Sequence, residues 1–180
     1  MIKKFLLGVS GFLLLIIGIG FLMPSTYTVE RSIRINVPVQ DIFMHVKNLR
    51  HWQGWGIWLK RDPEIKISYS GPESAVGMQS SWISENQGNG RMEVMGIEEN
   101  KHIIYSLYFI DRDIGSKGEL IFSPSEEQTR VTWRDHGDIE ANPLFRYFLF
   151  FMDSIKGDDM QMALDNLKMI SEAKINPNNN

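Results

Sequence analysis

The residues most suited to acid–base chemistry fall in one short stretch, Arg134-Asp135-His136-Gly137-Asp138. A carboxylate beside an imidazole can accept and relay a proton. The stretch follows an alternating run, Thr129–Arg134, so it sits at a strand end. Neighbouring residues of a strand point to opposite faces, so Asp135 and His136 need not meet. An ordinary polar turn is the competing reading. Asp153, on a later helical stretch, is the third candidate for catalysis. His45, His51 and His102 show neither H-x-x-x-H nor H-E-x-x-H spacing, and cysteine is absent, so no metal site and no cofactor is expected. Asp111-x-Asp113-x-Gly115 opens like a calcium loop, but the twelfth position is Phe122 instead of a carboxylate. It reads as an acidic hairpin loop. Gly88-x-Gly90 leads into a strand and not a helix, so it lacks a phosphate-binding context. No G-x-S-x-G nucleophile elbow occurs.

Apolar side chains carry more signal than titratable ones. On alternating runs, one face holds Met78 and Trp82, Met92, Tyr105 and Phe109, Phe122, and Trp133. A helical stripe adds Met152, Ile155, Met160 and Leu164. Methionine adapts to irregular shapes, and Tyr and Trp combine an apolar body with one polar handle. With Trp55 and Trp58, these are the candidate ligand-binding residues; the competing reading is a dry core. Trp52, Trp55 and Trp58 recur every three residues, which puts them on one side of a helical turn. They fit a gate, an interfacial contact or core packing.

Positioning such residues needs a sheet and a helix. Val29–Val37 alternates as a half-buried strand, and Pro38 then opens a short helix with Ile42, Phe43, Val46 and Leu49 at helical spacing. Six alternating runs follow, at 65–70, 78–84, 91–97, 102–109, 118–123 and 129–134, separated by Gly-, Pro-, Asn- and Asp-rich breakers. Short breakers without crossover helices predict an antiparallel meander. Residues 143–173 read as a long helix, with Gly157 as a kink or division. The expected fold class is α+β: a curved antiparallel sheet whose concave face the long helix covers.

Of 180 residues, 43% are hydrophobic and 23% charged, with a formal net charge of −3, which excludes disordered and collagen-like chains. A sequence pI of about 5.8 gives no general attraction to nucleic acid. The averages conceal an uneven distribution. Phe5–Met23 carries no charge, and at about 1.5 Å per residue it spans roughly the hydrocarbon thickness of a bilayer. Residues 1–24 are therefore expected to be a transmembrane anchor, with a cleaved signal peptide as the alternative. Residues 25–175 form the folded domain and 176–180 a disordered tail. Residues 25–180 keep 17 of the 19 basic and all 22 acidic residues, a formal charge of −5. Lys3 and Lys4 before the span nearly balance Arg31 and Arg34 after it. A di-lysine leading straight into an apolar run favours export. A single-pass protein of a bacterial cell membrane, its domain outside the cytoplasm, is the expectation.

Arg31-Ser-Ile-Arg-Ile-Asn-Val-Pro-Val-Gln-Asp-Ile-Phe43 resembles the opening strand and helix of the SRPBCC superfamily, which includes START and Bet v 1-like domains. Trp52–Trp58 with Asp62-Pro63, Tyr69-Ser70-Gly71-Pro72, Val76-Gly77-Met78 and Ser80-x-Trp82 is similar to its bacterial polyketide cyclase/dehydrase-like branch. Gly90-x-Met92, Val131-Thr132-Trp133 and the helix through Leu164 and Leu167-Lys168 continue the resemblance over about residues 29–173. It implies a helix-grip fold, a seven-stranded sheet wrapping a long C-terminal helix around a hydrophobic cavity. It also implies a hydrophobic small molecule or lipid as partner, and no single reaction. Three readings follow: a membrane-tethered carrier or sensor of such a ligand, a cyclase- or dehydratase-like enzyme on an apolar polyketide-type substrate, and a protein-interaction or envelope-stress module. The enzyme reading requires that at least one of Asp135, His136 and Asp153 face the cavity.

Overall fold

The computed structural model describes residues 2–138 and 143–173; the tail expected over 176–180 lies outside the described residues. Helix α1 (Ile2–Leu22) precedes strand β1 (Thr26–Ile35), helix α2 (Val39–Val46) and two single-turn helices, α3 (Trp52–Trp55) and α4 (Trp58–Arg61). Strands β2 (Lys66–Ser70), β3 (Gln79–Ile83), β4 (Gly90–Glu98), β5 (His102–Phe109), β6 (Ile114–Pro124) and β7 (Thr129–Asp138) follow. A 3₁₀ segment, Phe145–Phe151, leads into the long helix α5 (Met152–Glu172). The seven strands form one antiparallel sheet in the order β1-β7-β6-β5-β4-β3-β2. The expected α+β helix-grip architecture is the one observed.

Local chemistry accounts for the elements that close the fold. Pro38, with φ −58°, stands at the N-cap of α2, where its missing N–H costs nothing. Val39, Ile42, Phe43 and Val46 then fall on one buried stripe. The C-terminal half of α5 lays Ala163, Leu164 and Leu167 against β1 and α2. Ile35, Val37, Ile103, Leu120 and Val131 complete this densely packed end. The N-terminal half of α5 stands off the sheet, and there Ile155 is exposed.

Pairing extends three strands past their expected limits. β1 begins at Thr26 because Thr26 and Tyr27 pair with Asp138 and Gly137. β7 therefore runs through Asp135 and His136 to Asp138, so this stretch lies within a strand and not beyond its end. β6 starts at Ile114, and the breaker expected over 111–117 shrinks to a 3₁₀ turn at Ile110–Arg112 with Asp113 left-handed at φ +52°. Polar composition marked these positions as turns; ladder pairing with the adjacent strands made them strand.

α5 runs unbroken through Gly157. The glycine is a contact point: a Cβ there would collide with Nη2 of Arg31. Arg31 in turn binds both carboxylate oxygens of Asp153 at 2.8 and 3.0 Å, joining β1 to α5. That guanidinium holds the Asp153 carboxyl below the usual carboxylate range.

α1 is long and apolar enough to cross a membrane. It also touches the domain. The Tyr147 hydroxyl donates to the Ile16 carbonyl at 2.7 Å, and Arg146 donates to the carbonyls of Phe21 and Met23 at 3.1 and 3.0 Å. The arginine caps the carbonyl end of the helix, where Phe21 has no intrahelical partner, while Tyr147 adds a second hydrogen bond to a carbonyl inside the helix. Gly20 permits the approach, since a Cβ there would lie 2.5 Å from the Pro143 carbonyl oxygen. Gly20→Leu is expected to push α1 off this seat. With cysteines introduced at Ile16 and Tyr147 in this cysteine-free chain, a short thiol cross-linker should join them in the parent and fail in the Gly20→Leu background.

Candidate functional site

Between the standing-off half of α5 and the concave face of the sheet lies a cavity of about 1160 Å³. That is slightly above the roughly 300–1,000 Å³ usual for small-molecule sites. The sheet supplies Tyr69, Trp82, Met92, Tyr105, Leu107, Phe109 and Trp133; α3 and α4 supply Trp52 and Trp58; α5 supplies Met152, Ile155 and Met160. Phe145 and Phe148 of the 3₁₀ segment complete the wall.

The tryptophans split between two jobs. Gly56 breaks the turn after Trp55, and the ring of Trp58 occupies the space where its Cβ would stand. Trp52 and Trp55 are buried, with ring centroids 4.7 Å apart, and both meet Trp133 edge-on. Their indole N–H groups donate to the Val46 and His45 carbonyls. Trp58 stacks on Trp52 and lines the cavity.

One wall is polar. Lys156 of α5 reaches across to β7 and β1, donating to the Asp135 carboxylate at 2.5 Å and to the Tyr27 hydroxyl at 3.0 Å. Tyr27 donates to the same carboxylate oxygen at 3.3 Å, and Ser116 donates to the other at 3.1 Å. All four residues line the cavity. Asp135 is 2% exposed, so its charge is desolvated and compensated locally. Burial works against the Lys156 ammonium, but the facing Asp135 and the hydrogen bonds outweigh it and hold its pKa above the ordinary lysine value. Burial raises the Tyr27 hydroxyl, and the Lys156 charge offsets only part of that. Tyr105, fully enclosed, is pushed well above its ordinary value by burial, and accepts from the Trp133 indole at 2.8 Å. At the rim, Arg61 of α4 forms a two-point ion pair with Asp159 of α5.

The three acid–base candidates separate. Asp135 faces the cavity. His136 projects from the opposite face, exposed and bonded to Thr28 at 3.1 Å. Asp153 is exposed on the outer side of α5 with Arg31. Among the ligand candidates, Trp58, Trp82, Met92, Tyr105, Phe109, Trp133, Met152, Ile155 and Met160 line the cavity. Trp55, Met78, Phe122 and Leu164 are packed at 4% exposure or less and stand away from it. Asp111 ties its turn to the adjacent β3–β4 turn, accepting from Asn89, and Asp113 accepts from Tyr108.

Sequence reasoning missed Lys156, Tyr27 and Ser116. Lys156 had a legible signal: Met152, Lys156 and Met160 share one i, i+4, i+8 stripe, which puts a cation on the inward face. Tyr27 and Ser116 lay outside the expected strands.

The family described as polyketide cyclase / dehydrase and lipid transport matches residues 26–172. Among solved structures, the chain is similar to a protein of Thermobifida fusca at 15% identity, covering 81% of this chain and 93% of that one with a TM-score of 0.63. A protein of Thermus thermophilus is similar at 17% identity, 82% and 98% coverage and a TM-score of 0.61. The di-domain ARO/CYC StfQ from the steffimycin biosynthetic pathway is similar at 12% identity, with 83% of this chain and 52% of that one covered and a TM-score of 0.62. At such identities the likeness is one of fold. A search of curated proteins finds no match.

Proposed function

The chain belongs to the polyketide cyclase / dehydrase and lipid transport family, and from that premise we propose that it is a membrane-tethered binding protein for a hydrophobic small molecule or lipid. The observation that carries this reading is the cavity of about 1160 Å³, whose lining is rich in aromatic, methionine and aliphatic side chains, with Lys156, Asp135, Tyr27 and Ser116 gathered on one wall and other polar side chains, among them Arg61, Gln87, Arg112 and Asp159, elsewhere in the lining. Among the described residues Lys156 uses two of its three N–H donors. The third is available to an oxygen acceptor on the ligand. Because Asp135 already balances the lysine charge, the cluster suits an uncharged carbonyl or hydroxyl better than a carboxylate. The ligand class is thus a long apolar body with one neutral oxygen-bearing end. Helix α1 holds the domain at the membrane where such molecules dissolve, on the outer side according to the Lys3-Lys4 entry signal; a reporter fused at Asn180 reads the side.

Native mass spectrometry of the full chain released from detergent-free lipid discs tests this. An apolar adduct is expected on the parent and should be depleted at least several-fold by Leu107→Trp, which fills the cavity from β5. Bare protein in both samples, with no uptake of added fatty alcohol, sinks the reading.

A second reading rests on Asp135 itself. A carboxylate in the cavity wall, beside Lys156 and Tyr27 as donors, could remove a proton next to a substrate carbonyl while those donors hold the oxygen. That would make the protein a cyclase- or dehydratase-like enzyme on an apolar polyketide-type substrate. It predicts that Asp135→Asn abolishes turnover of such a substrate while leaving its binding intact.

A further inference from the structure

The 3₁₀ segment before α5 is unusual in what it leaves uncovered. Phe145, Phe148, Phe150 and Phe151 are 49%, 58%, 74% and 60% exposed, and no element of the described fold lies over them. Four exposed phenylalanines in seven residues form a contiguous apolar surface of the kind that marks an interaction site. Two of them, Phe145 and Phe148, have their rings 6.2 Å apart and also line the cavity. Ile155 does the same one turn into α5, half-exposed outside and lining the cavity within. The side chains that frame the mouth are therefore the side chains of the exposed patch.

What covers the patch follows from what it is fastened to. Arg146 and Tyr147, inside the same segment, are the residues that bind α1. Tyr147 reaches the Ile16 carbonyl, six residues before the end of the helix at Leu22, which is about 9 Å along its axis. The phenylalanines thus stand level with the last turns of the apolar helix. If α1 sits in a bilayer, its neighbour at that depth is in the headgroup and upper acyl zone. Arg146 is the one charged residue among these phenylalanines, and its guanidinium is turned onto the α1 carbonyls; the exposed rings suit that zone.

We propose that residues 145–151 form a second membrane contact that inserts beside α1, so that the cavity mouth opens onto the hydrocarbon and the ligand enters sideways from the bilayer. The proposal rests on the membrane-tethered reading above, and its test separates the two. The absence of native cysteine allows single-cysteine variants of the full chain, Leu13→Cys in the span, Phe150→Cys in the patch, Ile155→Cys at the mouth and Glu126→Cys in the β6–β7 turn. Each is labelled with an environment-sensitive fluorophore and reconstituted in phosphatidylcholine vesicles containing spin-labelled phosphatidylcholine. Insertion of about 5–10 Å predicts that the Leu13, Phe150 and Ile155 labels each lose roughly half their fluorescence while the Glu126 label is unaffected. A quenched Leu13 label with unquenched Phe150 and Ile155 labels overturns the proposal and leaves the tether standing. Energy transfer between copies in that case would assign the patch to a second copy of the chain. An unquenched Leu13 label overturns both. Quenching at Phe150 but not at Ile155 overturns the sideways entry.

Discussion

Lys156→Ala is expected to lower the unfolding free energy by about 3 kcal/mol, because it leaves the Asp135 carboxylate buried without its cation. For a domain of this size that corresponds to a fall in Tm of roughly 6–12 °C, measurable by thermal denaturation in discs. Ser116 and Tyr27 still donate to Asp135, which sets a ceiling on the loss. The double change Asp135→Leu with Lys156→Met removes both charges and should recover most of the stability, while losing the polar end of the site. A double variant as unstable as the single one would show that the pair is not the source. The pH dependence has a definite sign. The Lys156 pKa is raised in the fold, so the stabilisation it brings is fully present below its unfolded value, about 10.4, and is lost as pH rises through the folded value. Wild-type stability should therefore fall in the alkaline range more steeply than that of the double variant.

The second large effect is steric. Gly118 of β6 lies beneath the Tyr105 phenol, and a Cβ there would collide with Cζ and the hydroxyl oxygen. Tyr105 is buried against Trp52 and holds the Trp133 indole, so its ring has no free volume to retreat into except the cavity. Gly118→Val is expected to cost about 3 kcal/mol by overpacking and to drive the ring into the ligand space. Uptake of a fatty-alcohol probe should drop at least tenfold, measured by native mass spectrometry. Adding Tyr105→Leu makes room and should restore part of both stability and uptake. If Gly118→Val is neutral in both measurements, this picture of the wall is wrong.

The fold was legible from the sequence because its signals are local. Alternation over 102–109 placed β5 at its observed limits, and the breakers between runs set the meander order. The site was legible only in part. Alternation tells which face a residue takes but not how deep along the strand it lies. Met78 shares a face with Trp82, and Phe122 with Ser116, yet Met78 and Phe122 sit at the packed end, where α5 descends onto the sheet. Leu164 is two turns further along α5 than Lys156 and is core for the same reason. The polar cluster was hidden because its members come from strand positions that only long-range pairing creates. Tyr27 pairs with Gly137, and Ser116 with the same glycine from the other side. No window of neighbouring residues contains that information.

The placement of β1 beside β7 has a consequence for how the chain folds. Thr26 is paired with Asp138, and Ile35 with Thr129, so the first strand meets its partner only after more than half the chain has been made. At a synthesis rate of about 5–20 residues per second, β1 waits roughly 5–20 s for β7. The hairpins β2–β3 through β6–β7 need no such delay, since each closes over a short turn. Their assembly can run to β7 before the first strand joins. During that interval Val29, Ile33 and Ile35 are apolar residues of a strand without its partner. Sheet closure is then a late, non-local step of high contact order. The same event brings Tyr27 to Asp135, so the polar wall of the cavity is completed in the last stage of folding.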